Sequence, residues 1–237
     1  MAAGESGGHS DGKGGLVWDL PVRLFHWGLV LAVIGAFVTH KMGVRYFAYH
    51  AACGYAVLVL VAFRILWGFV GTYYARFVNF VRGPGETLRY FRTVAGGKAS
   101  DHVGHNPLGA AMVVLLLGAL GVQAGLGLFS NDDIFNYGPF SGLVSPGLSQ
   151  SLSSIHRKLF YAIALAIGVH VLAVLWHQFA RKEDLVRPMI TGRKPLGNVR
   201  EGGISSSRLG FAVFLVLILT GILAFAIGLA PAASGDI

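Results

Sequence analysis

The sequence reads as an all-α integral membrane protein, a four-helix bundle followed by a fifth, C-terminal transmembrane helix. Three observations carry that reading. First, the mean hydropathy is +0.62. Only 13% of the 237 residues are charged, where an ordinary soluble domain has about 25%. Second, five apolar stretches, near 22–40, 47–70, 107–129, 153–180 and 208–230, approach or exceed the roughly 20 residues that cross a bilayer. Third, the net charge of +8 is unevenly spread. Arg76, Arg82, Arg89, Arg92 and Lys98 lie between the second and third stretches. Arg181, Lys182, Arg187, Arg193, Lys194, Arg200 and Arg208 lie between the fourth and fifth, whereas 130–155 and the tail after the fifth have no Lys or Arg. Basic loops stay on the cytoplasmic side. The expected topology in a bacterial inner membrane is therefore N-terminus inside and C-terminus outside, with lipid as the surrounding partner. Lys41 and Arg45, in the first outer loop, run against it. Loops of this kind are topology signals, so no nucleic-acid partner is expected.

Each element has its own signal. Residues 1–16 are rich in Gly and Ser, include His9, and read as a disordered tail. Trp18 and Trp27 flank the start of the first span as interfacial anchors, and Pro21 suits a first helical turn. Lys13 and Arg23 precede the span, but no A-x-A site follows it, so it reads as a retained anchor. Cys53, in the second span, is the only cysteine; it reads as a small packing residue, and no disulfide can form within the chain. Segment 75–93 mixes Phe and Leu with Arg around a Pro-Gly break, a pattern for broken amphipathic helices lying on the membrane surface. The third span has no histidine but carries Gly118, Gly121 and Gly125 around Gln123, small residues that allow close approach. Segment 130–152, with Asn131, Asp132, Asp133, Pro139 and Pro146, is expected to be a loop covering the outer end of the bundle. Residues 196–237 form a linker and the fifth helix, leaving 17–195 as the bundle proper.

Four histidines fall inside these spans: His26, His50, His156 and His170. A histidine in hydrocarbon is expensive and points to a functional site. His156 and His170 are fourteen residues apart on one span, about 21 Å along a helix and on nearly the same face. With alternating span direction, depth matches His26 to His170 and His50 to His156. Facing helices build cofactor sites in this way. Each level offers two imidazoles and no carboxylate or thiolate to complete four zinc ligands. Two axial imidazoles suit haem iron, because the porphyrin supplies the other four nitrogens. No C-x-x-C-H is present, so c-type covalent attachment is excluded. The expectation is two non-covalent, bis-histidine b haems. Their propionates need cations, and Arg23, Arg157, Lys158 and Arg64 are the candidates. Arg64 follows His50 by fourteen residues and should face the inner haem; the competing reading has it reach to the interface. His177, one heptad past His170, is a rival ligand for His26, or a quinone or proton site. His40, at the outer end of span one, and His102 and His105, in a loop, are weaker candidates.

WDLPVRLFHW at 18–27, His50 with Gly54, and SIHRKLFYAIALAIGVHVLAVLWH at 154–177 resemble the bacterial cytochrome b-561 family, which includes the b-type cytochrome subunits of nickel-iron hydrogenases. The similarity runs over about 17–195. HNPLG at 105–109, LFSNDD at 128–133 and RPMITGRKP at 187–195 resemble members thought to work beside small c-type cytochromes. The resemblance implies a four-helix bundle with two bis-histidine b haems, and it carries ligand roles onto His26, His50, His156 and His170. The fifth span departs from the family pattern.

The expected function is electron relay between the quinone pool and a periplasmic redox partner such as a c-type cytochrome, as a subunit of a larger complex or oligomer. Two other assignments share the same constellation: a free-standing superoxide:quinone oxidoreductase, and the cytochrome b subunit of a membrane-bound hydrogenase. A histidine-lined metal transporter would need carboxylates or thiols in the ligand-bearing spans, and those hold only Cys53.

Overall fold

Asp19 sets where the first helix begins. Its side chain accepts the Val22 N–H at 2.7 Å, and Pro21 occupies the first turn, where its missing N–H costs nothing. The same device, an oxygen-bearing cap followed by proline, starts two more spans at Asn106–Pro107 and Ser145–Pro146. A computed structural model describes residues 15–97, 104–132, 136–195 and 204–231. Lys13 and His9 in the tail, Lys98, His102, Asp133 and Arg200 lie outside the described residues.

Among the described residues, five helices are long and apolar enough to cross a membrane. They are α1 (Leu20–Lys41), α2 (Phe47–Val70), α5 (Pro107–Leu128), α6 (Pro146–Phe179) and α8 (Leu209–Gly228). The chain is a multi-pass membrane protein. Segment 75–93 is the expected pair of broken helices, α3 (Phe77–Phe80) and α4 (Pro84–Ala95). A short helix, α7 (Val186–Thr191), and a two-stranded antiparallel pair, β1 (Gly15–Leu16) with β2 (Arg193–Lys194), complete the described elements.

Two expectations need correction. Residues 15 and 16, assigned to the tail, are strand β1, held by β2. The loop expected at 130–152 gives up its last seven residues to α6, which starts at Pro146. Those extra turns are serine-rich and fall outside a hydropathy window. They are ordered by side-chain bonding, because Ser149 donates to the Phe129 carbonyl at 2.6 Å and Ser153 accepts the Asn131 N–H at 2.9 Å.

Helix α2 is the hub, with seams against α1, α5 and α8. Buried Val57, Val61, Phe63 and Trp67 of α2 meet Phe25 and Ala32 of α1, Leu117 and Leu120 of α5 and Ala212 of α8. Helix α6 is different. Among the described residues it shares a long seam with α5 only, and it adds only Ile163 to the core. Both α6 histidines therefore sit across a gap from α1 and α2 rather than packed on them. The two basic loops come to one end of the bundle, where Arg208 donates to the Val70 carbonyl at 3.1 Å and Leu20 N–H reaches Ser207 Oγ at 3.3 Å. This is the basic end.

Candidate functional site

At the end opposite the basic loops, His50 of α2 and His156 of α6 face each other. Their ring centres are 6.3 Å apart and the planes stand at 85°. Each ring is oriented through its Nδ1. His50 Nδ1 lies 2.8 Å from the Ala36 carbonyl on α1, and His156 Nδ1 lies 2.9 Å from the Gln123 carbonyl on α5. A carbonyl only accepts, so each Nδ1 carries the proton and each Nε2 keeps its lone pair. That is the tautomer a metal-binding imidazole needs, with the other nitrogen donating to a fixed acceptor. Two imidazoles on opposite sides of one metal, with bonds of about 2 Å, put their ring centres roughly 6 Å apart. The spacing and the tautomers fit bis-imidazole coordination. The Gln123 amide nitrogen lies 3.4 Å from His156 Nε2, again on the acceptor side of that ring. Gly127 adjoins His156, since an added Cβ would come within 3.3 Å of its Cε1. His40 is exposed, with its ring centre 5.7 Å from that of His50, so this end gathers a third imidazole.

At the basic end, His26 and His170 lie within electrostatic range of each other. The His26 Nδ1 is buried without a hydrogen-bond partner. Among the described residues no cluster of three or more His, Cys, Asp or Glu could hold a metal ion alone. Two imidazoles per level, with no further metal-ligating group placed to join them among the described residues, form instead a donor set for a macrocyclic metal centre, which brings its own equatorial ligands.

The cation candidates separate by position. Arg64 is 2% exposed in α2, with its guanidinium 5.1 Å from the Phe77 ring centre and 5.7 Å from that of Phe80, both on α3 beyond the end of the span. Gly68 admits that arrangement, because a Cβ there would fall 2.1 Å from the Phe77 ring. Arg23 donates Nη1 to the Ile190 carbonyl, and its Nε is buried without a partner. Arg157 and Lys158 are exposed, with Arg157 in electrostatic range of His156. His177 turns to Glu183, with Nδ1 2.8 Å from Oε2.

Two residues do more than their sequence context shows. Asp19 is 1% exposed and accepts from Val22 N–H, from Trp67 Nε1 at 3.0 Å and from the Thr72 hydroxyl. An N-cap was legible, but its second carboxylate oxygen serves residues about fifty positions away. His105 is not a loose loop residue. Its ring lies 4.7 Å from that of Trp18 and 4.5 Å from that of Phe80. Loss of solvent, and then the charges of Arg64, Lys194 and His170, hold its pKa down to about 3, so it is a neutral imidazole.

A family model described as prokaryotic cytochrome b561 matches residues 17–192. Among curated proteins, the probable Ni/Fe-hydrogenase 1 B-type cytochrome subunit of Escherichia coli (strain K12) is 25% identical over 209 residues, covering 74% of this chain and 88% of that protein. The probable Ni/Fe-hydrogenase B-type cytochrome subunit of Bradyrhizobium diazoefficiens is 24% identical over 230 residues, covering 82% and 92%. That of Cupriavidus necator is 26% identical over 216 residues, covering 76% and 86%. No solved structure matches the chain.

Proposed function

The chain belongs to the prokaryotic cytochrome b561 family, and on that premise we propose that it is a diheme b-type cytochrome relaying electrons between the quinone pool and a redox partner across the membrane. The observation that carries the proposal is the His50–His156 pair, facing at 6.3 Å with both Nδ1 protons fixed on backbone carbonyls. We assign His50 and His156 to one non-covalent haem, and His26 and His170 to the other. The haem iron supplies the one-electron couple. The protein supplies ligation, spacing and electrostatics.

The chain's own residues have distinct tasks. The carbonyls of Ala36 and Gln123 hold the His50 and His156 rings in the ligating tautomer. Arg64 and Arg23, each with a buried unpartnered nitrogen, are suited to propionates at the basic end. Arg157 and Lys158 are suited to those at the other end. The fourteen residues from His156 to His170 carry the relay about 21 Å along α6. His177 with Glu183, an imidazole–carboxylate pair where α6 leaves the span, is the group we assign to taking up quinol protons. The basic end is cytoplasmic on this reading, because basic loops stay inside. The opposite end, beneath Asn131 and Asp132, then faces the periplasm. It meets a redox protein such as a c-type cytochrome, and the salt dependence of that encounter reports the charge complementarity of the two surfaces.

A second reading has a specific observation behind it. The relatives are named as hydrogenase cytochrome subunits, so the redox partner is a hydrogenase and the quinone is the acceptor.

The deciding measurement is a pyridine haemochrome assay on the purified protein, which should return about two haems per chain. A value of one removes one pair. Rapid mixing of the reduced protein with c-type cytochromes at low and high salt then separates the partner readings. If no cytochrome reacts, the relay to one fails. Fast reduction by superoxide alone would make the chain a free-standing oxidoreductase.

A further inference from the structure

Among the described residues, seven buried side-chain polar atoms have no hydrogen-bond partner, and five of them gather at the basic end. They are Arg23 Nε, His26 Nδ1, Arg64 Nη1, Arg76 Nε and His105 Nδ1. All are nitrogens, and the three guanidinium atoms can only donate. None of them is hydrogen-bonded to another. The nearby carboxylate does not serve them either. Asp19 already accepts from Val22, Trp67 and Thr72. It acts on Arg64 through space, and no ion pair joins them among the described residues. A donor sealed from water with no acceptor is unfavourable. Three guanidinium nitrogens sealed in this way at one end suit an anion with oxygen acceptors.

His105 has the position to serve that anion. Trp18 and Phe80 fix its ring from two directions, at 4.7 Å and 4.5 Å. Phe80 also borders the Arg64 guanidinium, at 5.7 Å. Arg64 and His170 are both in electrostatic range of His105. His105 is thus coupled both to a buried cation and to a histidine assigned to the basic-end haem. Being neutral, it has a single N–H to give, and its Nδ1 is the sealed, unpartnered atom.

We propose that His105 donates its Nδ1 proton to a propionate carboxylate of the basic-end haem, beside Arg64, so that a neutral donor and a buried cation together hold that group. The proposal rests on the diheme reading above. The carboxylate takes one hydrogen bond from the imidazole and its charge compensation from the guanidinium. No proton changes owner. The same donors would suit a lipid phosphate, which is the alternative source of the anion.

The test is a redox titration of the purified holoprotein, followed through the haem absorption bands, for the wild type, His105→Phe and His105→Asn. Losing a donor to the propionate leaves more negative charge near the iron and favours its oxidised form. His105→Phe should therefore make reduction of one haem about tenfold less favourable, about 59 mV for one electron. The other haem should be unmoved and the haem content kept. His105→Asn retains a donor and should recover most of the shift. Loss of one haem in His105→Phe would make His105 an axial ligand and overturn the proposal. So would no shift, or equal shifts in both haems. Adding phosphatidylglycerol to delipidated holoprotein should change neither potential. If it alone sets the shifted one, the anion is a lipid phosphate and the proposal fails. A wild-type content of one haem is a different result, because it defeats the diheme reading itself.

Discussion

Replacing Asp19 by Asn keeps the shape of the side chain and should still destabilise the protein strongly. The carboxylate is 1% exposed and receives three donors: Val22 N–H at 2.7 Å, Trp67 Nε1–H at 3.0 Å and the Thr72 hydroxyl. Asparagine has one acceptor oxygen. If that oxygen keeps the helix cap, the amide NH2 faces the indole N–H and the Thr72 hydroxyl. Threonine can turn and accept, but the indole cannot. If the amide flips, the Val22 N–H is orphaned instead. In either case one buried donor faces another, at about 1–3 kcal/mol, and charge-assisted bonds become neutral or vanish. The sum is about 3–5 kcal/mol. A chain of this size loses roughly 2–4 °C in Tm per kcal/mol, so the midpoint should fall by roughly 6–20 °C. Thermal denaturation of the detergent-solubilised holoprotein, followed by circular dichroism, measures it. The cause can be isolated, because Trp67→Phe removes the indole N–H. The pair Asp19→Asn/Trp67→Phe should be less damaging than the sum of the single changes by about 1–3 kcal/mol. Strict additivity, or a single-variant loss under about 1 kcal/mol, would refute the hydrogen-bond account.

Other changes probe the site more directly. His156→Ala should lower the haem content from about two per chain to about one, because only the His50–His156 level loses a ligand; loss of both haems would show that the levels are not independent. Arg64→Leu should lower the potential of one haem and spare the other, since it removes a buried positive charge at one end only; equal shifts would mark a general folding effect. Gly68→Ala places a Cβ 2.1 Å from the Phe77 ring and should destabilise the protein by about 1–3 kcal/mol. The Arg64 variant should then resemble it in stability if Phe77 acts mainly as a cover for that guanidinium. Reporter fusions after Gly97 and after Ile237 should report opposite sides of the membrane, and finding both on one side would break the five-span topology.

Much of the fold was legible because its determinants are local. A bilayer needs about 20 apolar residues per helix, and five stretches near that length mark the spans, with Pro21 in the first turn of α1. The depth pairing of four histidines needed only helix rise and alternating direction. What stayed hidden depends on residues far apart in sequence. His105 is a loop residue as the sequence suggests, but its cover, Trp18 and Phe80, comes from other parts of the chain and so stays hidden. The early start of α6 was missed because hydropathy falls at the serines that bond back to Phe129 and Asn131.

The acceptors that fix His50 and His156 were invisible for another reason: they are backbone carbonyls, which every residue carries. The sequence specifies them indirectly, through small side chains. Gly35 precedes Ala36, and a Cβ at Gly35 would come 2.9 Å from Cys53 Sγ. Only glycine lets α1 approach α2 so closely one turn below His50, and that approach brings the Ala36 carbonyl to 2.8 Å from the ring. Gly127 does the same for α5 against His156. Cys53 does pack against Gly35, whereas of the α5 glycines Gly118 and Gly125 border open space and Gly121 alone meets a neighbouring helix, with an added Cβ 3.4 Å from Val61. The close approach at Gly35 and Gly127 sets the distance between helices, and that distance sets which nitrogen of His50 and of His156 is held on a carbonyl and which keeps its lone pair.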